Sequence, residues 1–261
     1  MKPDLVVFDL DGTLTETKTP LAPDMSGTLA DLLKKKKVAI IGGGSWEQFK
    51  KQFVSELQCS RKLLPNLFLF PTTATSFYRY RGGWKKVYAK ELPKKERRKI
   101  EKAFEEVLKE IHYVPPKKVY GKVIEDRKSQ VTFSALGQDI VARLGEKGVR
   151  LKEAWTKKNG PLKLTITKLM QKRLPNLEVH AAGFTSIDVT EKGIDKAYGI
   201  RQIERHLHIP VKKMIFIGDA IFPGGNDYAV TKTGVKTVKV SGPKETKRII
   251  KRILTDRNRD K

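Results

Sequence analysis

Short uninterrupted apolar runs punctuate the chain at residues 5–8 (Leu-Val-Val-Phe), 38–41 (Val-Ala-Ile-Ile), 67–70 (Leu-Phe-Leu-Phe) and 214–217 (Met-Ile-Phe-Ile). Each is bounded by polar residues, glycine or proline. That is the pattern of strands buried on both faces of a parallel sheet. A shorter strand fits residues 236–240. Helical spacing fills the intervals. Asp24 is placed to N-cap a helix over 25–36 with Leu29, Leu32 and Leu33 on one face, and the lysines at 34–37 close it, where cations complement the helix dipole. Further helices fit residues 46–57, 195–207 and 244–254, the last with Ile249, Ile250 and Ile253 facing inward.

The middle of the chain has another rhythm. Arg81-Gly82-Gly83-Trp84 reads as a hairpin-like turn, and Pro93 opens an amphipathic helix to residue 111 with Ile100, Ala103, Phe104, Val107, Leu108 and Ile111 at helical spacing. Pro115-Pro116 breaks the chain. Strands then fit 119–124 and 130–136, helices 143–157 and 162–173, and strands 178–182 and 185–190. In the second strand Val131, Phe133 and Ala135 alternate with Thr132 and Ser134, the pattern of a sheet buried on one face. The sequence therefore predicts an α/β chain of two domains. A doubly wound parallel-sheet core takes residues 1–80 and 191–261. An inserted α/β module with an antiparallel sheet takes residues 81–190. Residues 255–261 are polar and read as a frayed end.

The 261 residues suffice for such a division. No apolar run approaches the ~20 residues that span a bilayer. No signal-peptide pattern precedes the first strand, so a cytoplasmic protein without membrane contact is expected. Cys59 is the single cysteine, which rules out an intrachain disulfide and reads as a packing residue. The net charge of +25 does change the picture. Residues 1–80 carry 11 basic and 8 acidic side chains, residues 81–190 carry 26 and 13, and residues 191–261 carry 17 and 8. The excess lies away from the first strand. It would steer an anionic substrate, and it predicts nonspecific polyanion binding at low salt.

The candidate chemistry sits where the buried runs end. Asp9-Leu10-Asp11-Gly12-Thr13 leaves the first strand at its carboxyl end, where open α/β sheets bind ligands. Of two carboxylates so close, one can bind Mg²⁺ and attack phosphorus while the other moves a proton. The loop of Gly42, Gly43, Gly44 and Ser45 follows the second strand and can present backbone N–H groups to a phosphate. Gly218-Asp219 ends the strong run of the second half and leads to Pro223-Gly224-Gly225-Asn226-Asp227.

Asp9 to Thr13 resembles the first motif of the haloacid dehalogenase (HAD) superfamily of phosphoryl-transfer enzymes. The resemblance implies a HAD-like Rossmannoid core with a cap. It implies that Asp9 becomes a phospho-aspartate and that Asp11 is the general acid/base. It implies that Lys196 neutralises the nucleophile, and that Mg²⁺ is held by Asp9, Asp219 and the backbone carbonyl of Asp11. Either Ser45 or the backbone at Gly44 would hold the transferring phosphoryl, beside Gly43. The long loop from Gly218 to Asp227 is closer still to the eukaryotic-type α-phosphomannomutases. Ile124-Glu125-x-Arg127, Ser134-x-Leu136-Gly137 and Ser186-Ile187-Asp188-Val189 resemble that family's cap. By that resemblance Arg127 holds a distal phosphate, and Ser134, Asp188, Asn226 and Asp227 belong to the substrate site. The expected function is a phosphomannomutase-like hexose-phosphate mutase. The implied partners are a phosphorylated sugar, a hexose 1,6-bisphosphate activator and a second copy of the chain joined through the cap.

Two departures qualify the resemblance. Gln138 stands where that family has Arg after the second cap strand, and Lys18 stands where it has a core Arg. They keep the superfamily chemistry and leave open a sugar-phosphate phosphatase on the same scaffold. A nucleic-acid-binding protein on that scaffold is the third reading.

Overall fold

A computed structural model of the protein describes residues 3–255. The chain divides into two compact units, residues 1–89 with 195–261 and residues 90–194. The final polar stretch read as frayed begins at Thr255, and its remainder lies outside the described residues.

The first unit is built on strands β1 (Leu5–Asp9), β2 (Lys37–Ile41), β3 (Leu67–Phe70), β4 (Ser76–Tyr80) and β5 (Trp84–Ala89). Strands β10 (Met214–Gly218) and β11 (Lys236–Lys239) complete the sheet, in the order β11-β10-β1-β2-β3-β4-β5. The strands from β11 to β3 pair in parallel, and β4 and β5 add an antiparallel hairpin. Because strand side chains alternate, each apolar run supplies two layers. Val6, Phe8, Val38, Ile40, Ile215 and Ile217 meet Met25, Leu29, Leu32 and Ile250 of helices α1 (Pro23–Leu33) and α8 (Pro243–Thr255). Leu5, Val7, Ala39, Ile41 and Phe216 meet Ile200 and Ile203 of α7 (Lys196–Leu207) on the other face. Coverage of both faces is why the runs are continuous rather than alternating.

Departures from the sequence reading have local causes. Pro23 takes the first position of α1 and Ala22 its cap, so Asp24 lies inside the first turn, and the helix ends at Leu33 with no basic residue in its last turn. The expected helix over 46–57 is one turn, α2 (Trp46–Phe49), followed by a π-helical turn over Lys50–Val54. After β3 comes a short turn, α3 (Pro71–Ala74), with Thr72 and Thr73 in left-handed conformation. The hairpin at Arg81–Gly83 does not open the second unit. Trp84–Ala89 pairs with β4, so the first unit continues to Ala89.

The second unit holds a four-stranded antiparallel sheet ordered β6-β7-β9-β8. These are β6 (Ile124–Asp126), β7 (Gln130–Ser134), β8 (Leu177–Ala182) and β9 (Ser186–Glu191). Helix α4 (Lys94–Glu110) packs Ile100, Phe104 and Val107 on Val131, Phe133, Ile187 and Val189. Helix α5 (Ile140–Leu144) precedes α6 (Glu146–Arg173), which spans the two expected helices and breaks between them at Asn159, whose backbone is not helical, just before Pro161. The alternating residues of β7 are buried on both sides. Thr132 and Ser134 are as covered as Val131 and Phe133. Among the described residues no helix is long and apolar enough to cross a membrane.

Candidate active site

Asp9 is the last residue of β1, paired in register with Ile41, so its side chain leaves the sheet at the strand's carboxyl end. Asp219 follows the last residue of β10, the neighbouring parallel strand. Helix α7 begins at Lys196 because the Asp195 carboxylate caps it, accepting from the Tyr198 N–H at 2.8 Å. That start delivers the Lys196 ammonium to Asp9 Oδ1 at 2.5 Å and to Asp227 Oδ1, with all three side chains buried. One carboxylate oxygen from each of Asp9, Asp219 and Asp227 lies within 4.8 Å of the others.

Two glycines make room for this packing. At Gly12 (φ 85°) a Cβ would stand 2.6 Å from Asp219 Oδ2, and at Gly218 a Cβ would stand 2.3 Å from Asp227 Oδ2. Thr13 donates to Asp219 Oδ1 at 3.1 Å, and the Ala220 N–H donates to Asp227 Oδ2 at 3.1 Å.

Burial of so many charges shifts their titration. Burial raises the Asp9 carboxyl well above its usual range against the pull of Lys196, and Asp227 and Asp219 raise it further. Asp219 is raised by burial and by Asp227. For Lys196, burial alone would lower the ammonium, but Asp227 and Asp9 outweigh it and hold it above the usual lysine value. Hard oxygen donors crowded beyond what one ammonium offsets fit a divalent cation such as Mg²⁺.

Asp11 is half-buried and held by two donors to Oδ1, the Lys18 N–H at 2.6 Å and Gln52 Nε2 at 2.7 Å. Gln52 also donates to Thr15 Oγ1 at 2.8 Å. It reaches there from the π-helical turn after α2, a register that helical periodicity could not give. Ser45 is the N-cap of α2 and accepts from the Gln48 N–H at 3.3 Å. Gly43 and Gly44 precede it in a loop held from outside, with the Thr73 N–H on Gly42 O and the Thr72 N–H on Gly44 O, at 2.9 and 2.8 Å.

Of the candidate site residues, the first unit brings together Asp9, Lys196, Asp219 and Asp227. Asp227, expected at the substrate, is instead fully buried on Lys196, while its neighbour Asn226 is exposed. In the second unit Arg127 donates to Glu125 Oε2 at 2.6 Å and to Gln138 Oε1 at 2.9 Å. Asp188 accepts from Thr132 Oγ1 at 2.7 Å. Ser134 is fully buried and donates to Gly137 O at 3.2 Å. Thr13 and Gln52 were not singled out by the sequence. Thr13 stands inside the first motif, but Gln52 carries no sequence signal.

A carboxylate-lysine cluster at the carboxyl end of a doubly wound sheet defines a phosphoryl-transfer enzyme of the HAD class. The chain is similar over its whole length to the IMP-nucleotidase of Plasmodium falciparum (TM-score 0.72, 19% identity, covering 63% of that chain). It is similar to a haloacid dehalogenase-like hydrolase from Bacteroides thetaiotaomicron over 97% of its length and all of that chain (TM-score 0.60, 14% identity). These likenesses show the fold. The family described as eukaryotic phosphomannomutase matches residues 25–256, and the chain belongs to it. Its relatives include a probable phosphomannomutase of Caenorhabditis elegans, 24% identical over 259 residues that cover 97% of this chain and 96% of the relative. Phosphomannomutase 1 of Dictyostelium discoideum is 27% identical over 96% of each chain.

Proposed function

We propose that the protein interconverts mannose 6-phosphate and mannose 1-phosphate through a phospho-aspartate on Asp9. The observation that carries this reading is the buried ammonium of Lys196 on Asp9 and Asp227, with Asp219 alongside. In the first half-reaction an Asp9 carboxylate oxygen attacks phosphorus, the bond from phosphorus to the departing oxygen breaks, and Asp11 gives that oxygen its proton. In the second, a hydroxyl of the sugar phosphate attacks phospho-Asp9, its proton returns to Asp11, and the Asp9 carboxylate is regenerated. Gln52 and the Lys18 N–H fix Asp11 for both transfers. Lys196 offsets the charge of Asp9 and cannot leave, because Asp227 holds it from the other side. Asp9, Asp219 and Asp227 would hold Mg²⁺, which supplies charge neutralisation at the transferring phosphoryl. In the second unit Arg127 and Asp188 are assigned to the substrate's distal phosphate and its hydroxyls.

A second reading, a sugar-phosphate phosphatase, is favoured by one observation. The group beside Arg127 is the neutral amide of Gln138 rather than a second guanidinium, so the distal phosphate loses a charged contact. Water would then take the phosphoryl from Asp9.

Product analysis tests both. With Mg²⁺ and mannose 1-phosphate, with and without glucose 1,6-bisphosphate, mannose 6-phosphate is the expected product and the bisphosphate should accelerate it. Free mannose and inorganic phosphate would replace the mutase reading with the phosphatase one. Turnover of neither kind would overturn both.

A further inference from the structure

The lysines at 34–37 have no role in the chemistry above. Placed in the last turn of a helix they would complement its dipole, but α1 stops at Leu33 and its last turn carries no basic residue. The carbonyls of Ala30, Leu32 and Leu33 at that end already have partners. The N–H groups of Lys34, Lys35 and Lys36 donate to Ala30 O and Leu32 O, and Asn66 Nδ2 donates to Leu33 O at 3.0 Å. The lysines instead line a surface depression of about 410 Å³, together with Asp4, Asn66 and Ile209.

We propose that this depression binds a compact polyanion carrying two or more phosphoryl groups, at a site separate from the catalytic end. Four consecutive ammonium-bearing side chains meet few countercharges here. Lys34 pairs with Asp31 at 2.8 Å, both side chains 61% exposed, so water weakens that pair. Lys36 Nζ donates to Pro3 O at 2.7 Å. Lys35 and Lys37 are exposed, and among the described residues neither forms an ion pair. A multiply charged anion relieves the mutual repulsion of such a cluster, and lysine is a ready point-charge donor to phosphoryl oxygens.

The surroundings favour a small ligand over a nucleic-acid strand. The lining residues include no aromatic side chain on which a base could stack. Asp4 and Lys37 mark the amino ends of β1 and β2, whereas Asp9 and Gly42 stand at the carboxyl ends of the same strands. A strand of that length spans about 16 Å, so a ligand here does not reach the catalytic carboxylates.

Calorimetric titration of the metal-free protein with inorganic tripolyphosphate tests the site, at about 50 mM and about 200 mM salt, since electrostatic binding must weaken as salt rises. One saturable event is expected. The double variant Lys35→Glu/Lys37→Glu should weaken it at least about tenfold, and Lys35→Gln/Lys37→Gln by less, with the thermal unfolding midpoint unchanged, as befits exposed side chains. Absence of saturable binding, or equal affinity in wild type and both variants, would overturn the proposal. So would a single-stranded oligonucleotide that binds as tightly per phosphate and is lost in the same variants, because the surface would then be a nucleic-acid one.

Discussion

The two units hold their polar groups in opposite ways. At the carboxyl end of the first unit's sheet, ionised groups from β1, α7 and the loop after β10 are buried on one another, and the ammonium of Lys196 faces a majority of carboxylates. In the second unit Arg127 donates to Glu125 and to Gln138, and Thr132 donates to Asp188, so each of these charged groups is engaged by its neighbours. The first arrangement is electrostatically incomplete and calls for a cation and a substrate. The second already engages Arg127 and Asp188 within the chain and can hold a ligand there only by sharing groups that are in use. Catalytic strength should therefore reside in the first unit and selectivity in the second.

The largest test of that contrast is Asp9→Asn. Losing a covalent nucleophile costs on the order of 10⁶ in turnover, and phosphoryl transfer should fall to background with the circular dichroism spectrum preserved. Retained activity would remove Asp9 from the mechanism. Lys196→Met leaves carboxylates buried without their ammonium, so unfolding in denaturant should show a loss of about 3–5 kcal/mol. Part of that loss should return with Mg²⁺, since a cation would replace the missing positive charge. No return would mean that the carboxylate cluster does not take a metal.

On the second unit, Arg127→Ala removes a nearly buried guanidinium, and the charge-assisted contact proposed between it and the distal phosphate is worth about 1.5–3 kcal/mol. Use of a hexose bisphosphate should weaken about tenfold to a hundredfold, while hydrolysis of a small aryl phosphate barely changes. Equal losses on both would make Arg127 a support of the fold. Lys163→Ala isolates the structural part of this unit, because Lys163 Nζ donates to Gly183 O at 2.8 Å and holds the β8–β9 turn. Stability should drop by about 1–3 kcal/mol with turnover on the aryl phosphate unaffected.

The smallest effect is in pH. The folded carboxyls of Asp9 and Asp219 are raised, chiefly by burial, so the folded chain holds their protons at a pH where the unfolded chain has lost them. Their contribution to metal-free stability is greatest at low pH and falls as pH rises from the ordinary carboxylate range through the raised one. Mg²⁺ must displace those protons. Its upward shift of the unfolding midpoint should therefore be larger at pH ~7.5 than at pH ~5.5. An equal shift at both would place the metal elsewhere.

Much of this architecture was legible because buried parallel strands leave an unmistakable pattern. The runs at β1, β2, β3 and β10 needed no tertiary information, and Asp9 and Asp219 could be placed simply as the residues that follow them. Lys196 was legible as a helix start behind Asp195. Other features were not. Asp227 sits in a loop, and nothing in its spacing says that it turns inward onto Lys196 rather than outward to a substrate. Gln52 owes its reach to a π-helical turn that apolar spacing reads as ordinary helix. Trp84–Ala89 looked like the start of a new domain because basicity rises there, yet its backbone pairing with β4 keeps it in the first sheet.

The sequence by itself thus determined the strand ends, the order of the core elements and the carboxylates offered at one edge of the sheet. Those depend on local burial patterns and on the identity of the next residue in the chain. Only the tertiary structure decided which charges neutralise which, Asp227 on Lys196 and Glu125 on Arg127, and that Gln52 donates to Asp11. It also decided that the lysines at 34–37 stand beyond a helix rather than on it. Electrostatic and hydrogen-bond partners are fixed by distances of a few ångströms between groups remote in sequence, and the chain acquires those distances only when both faces of its sheet are packed.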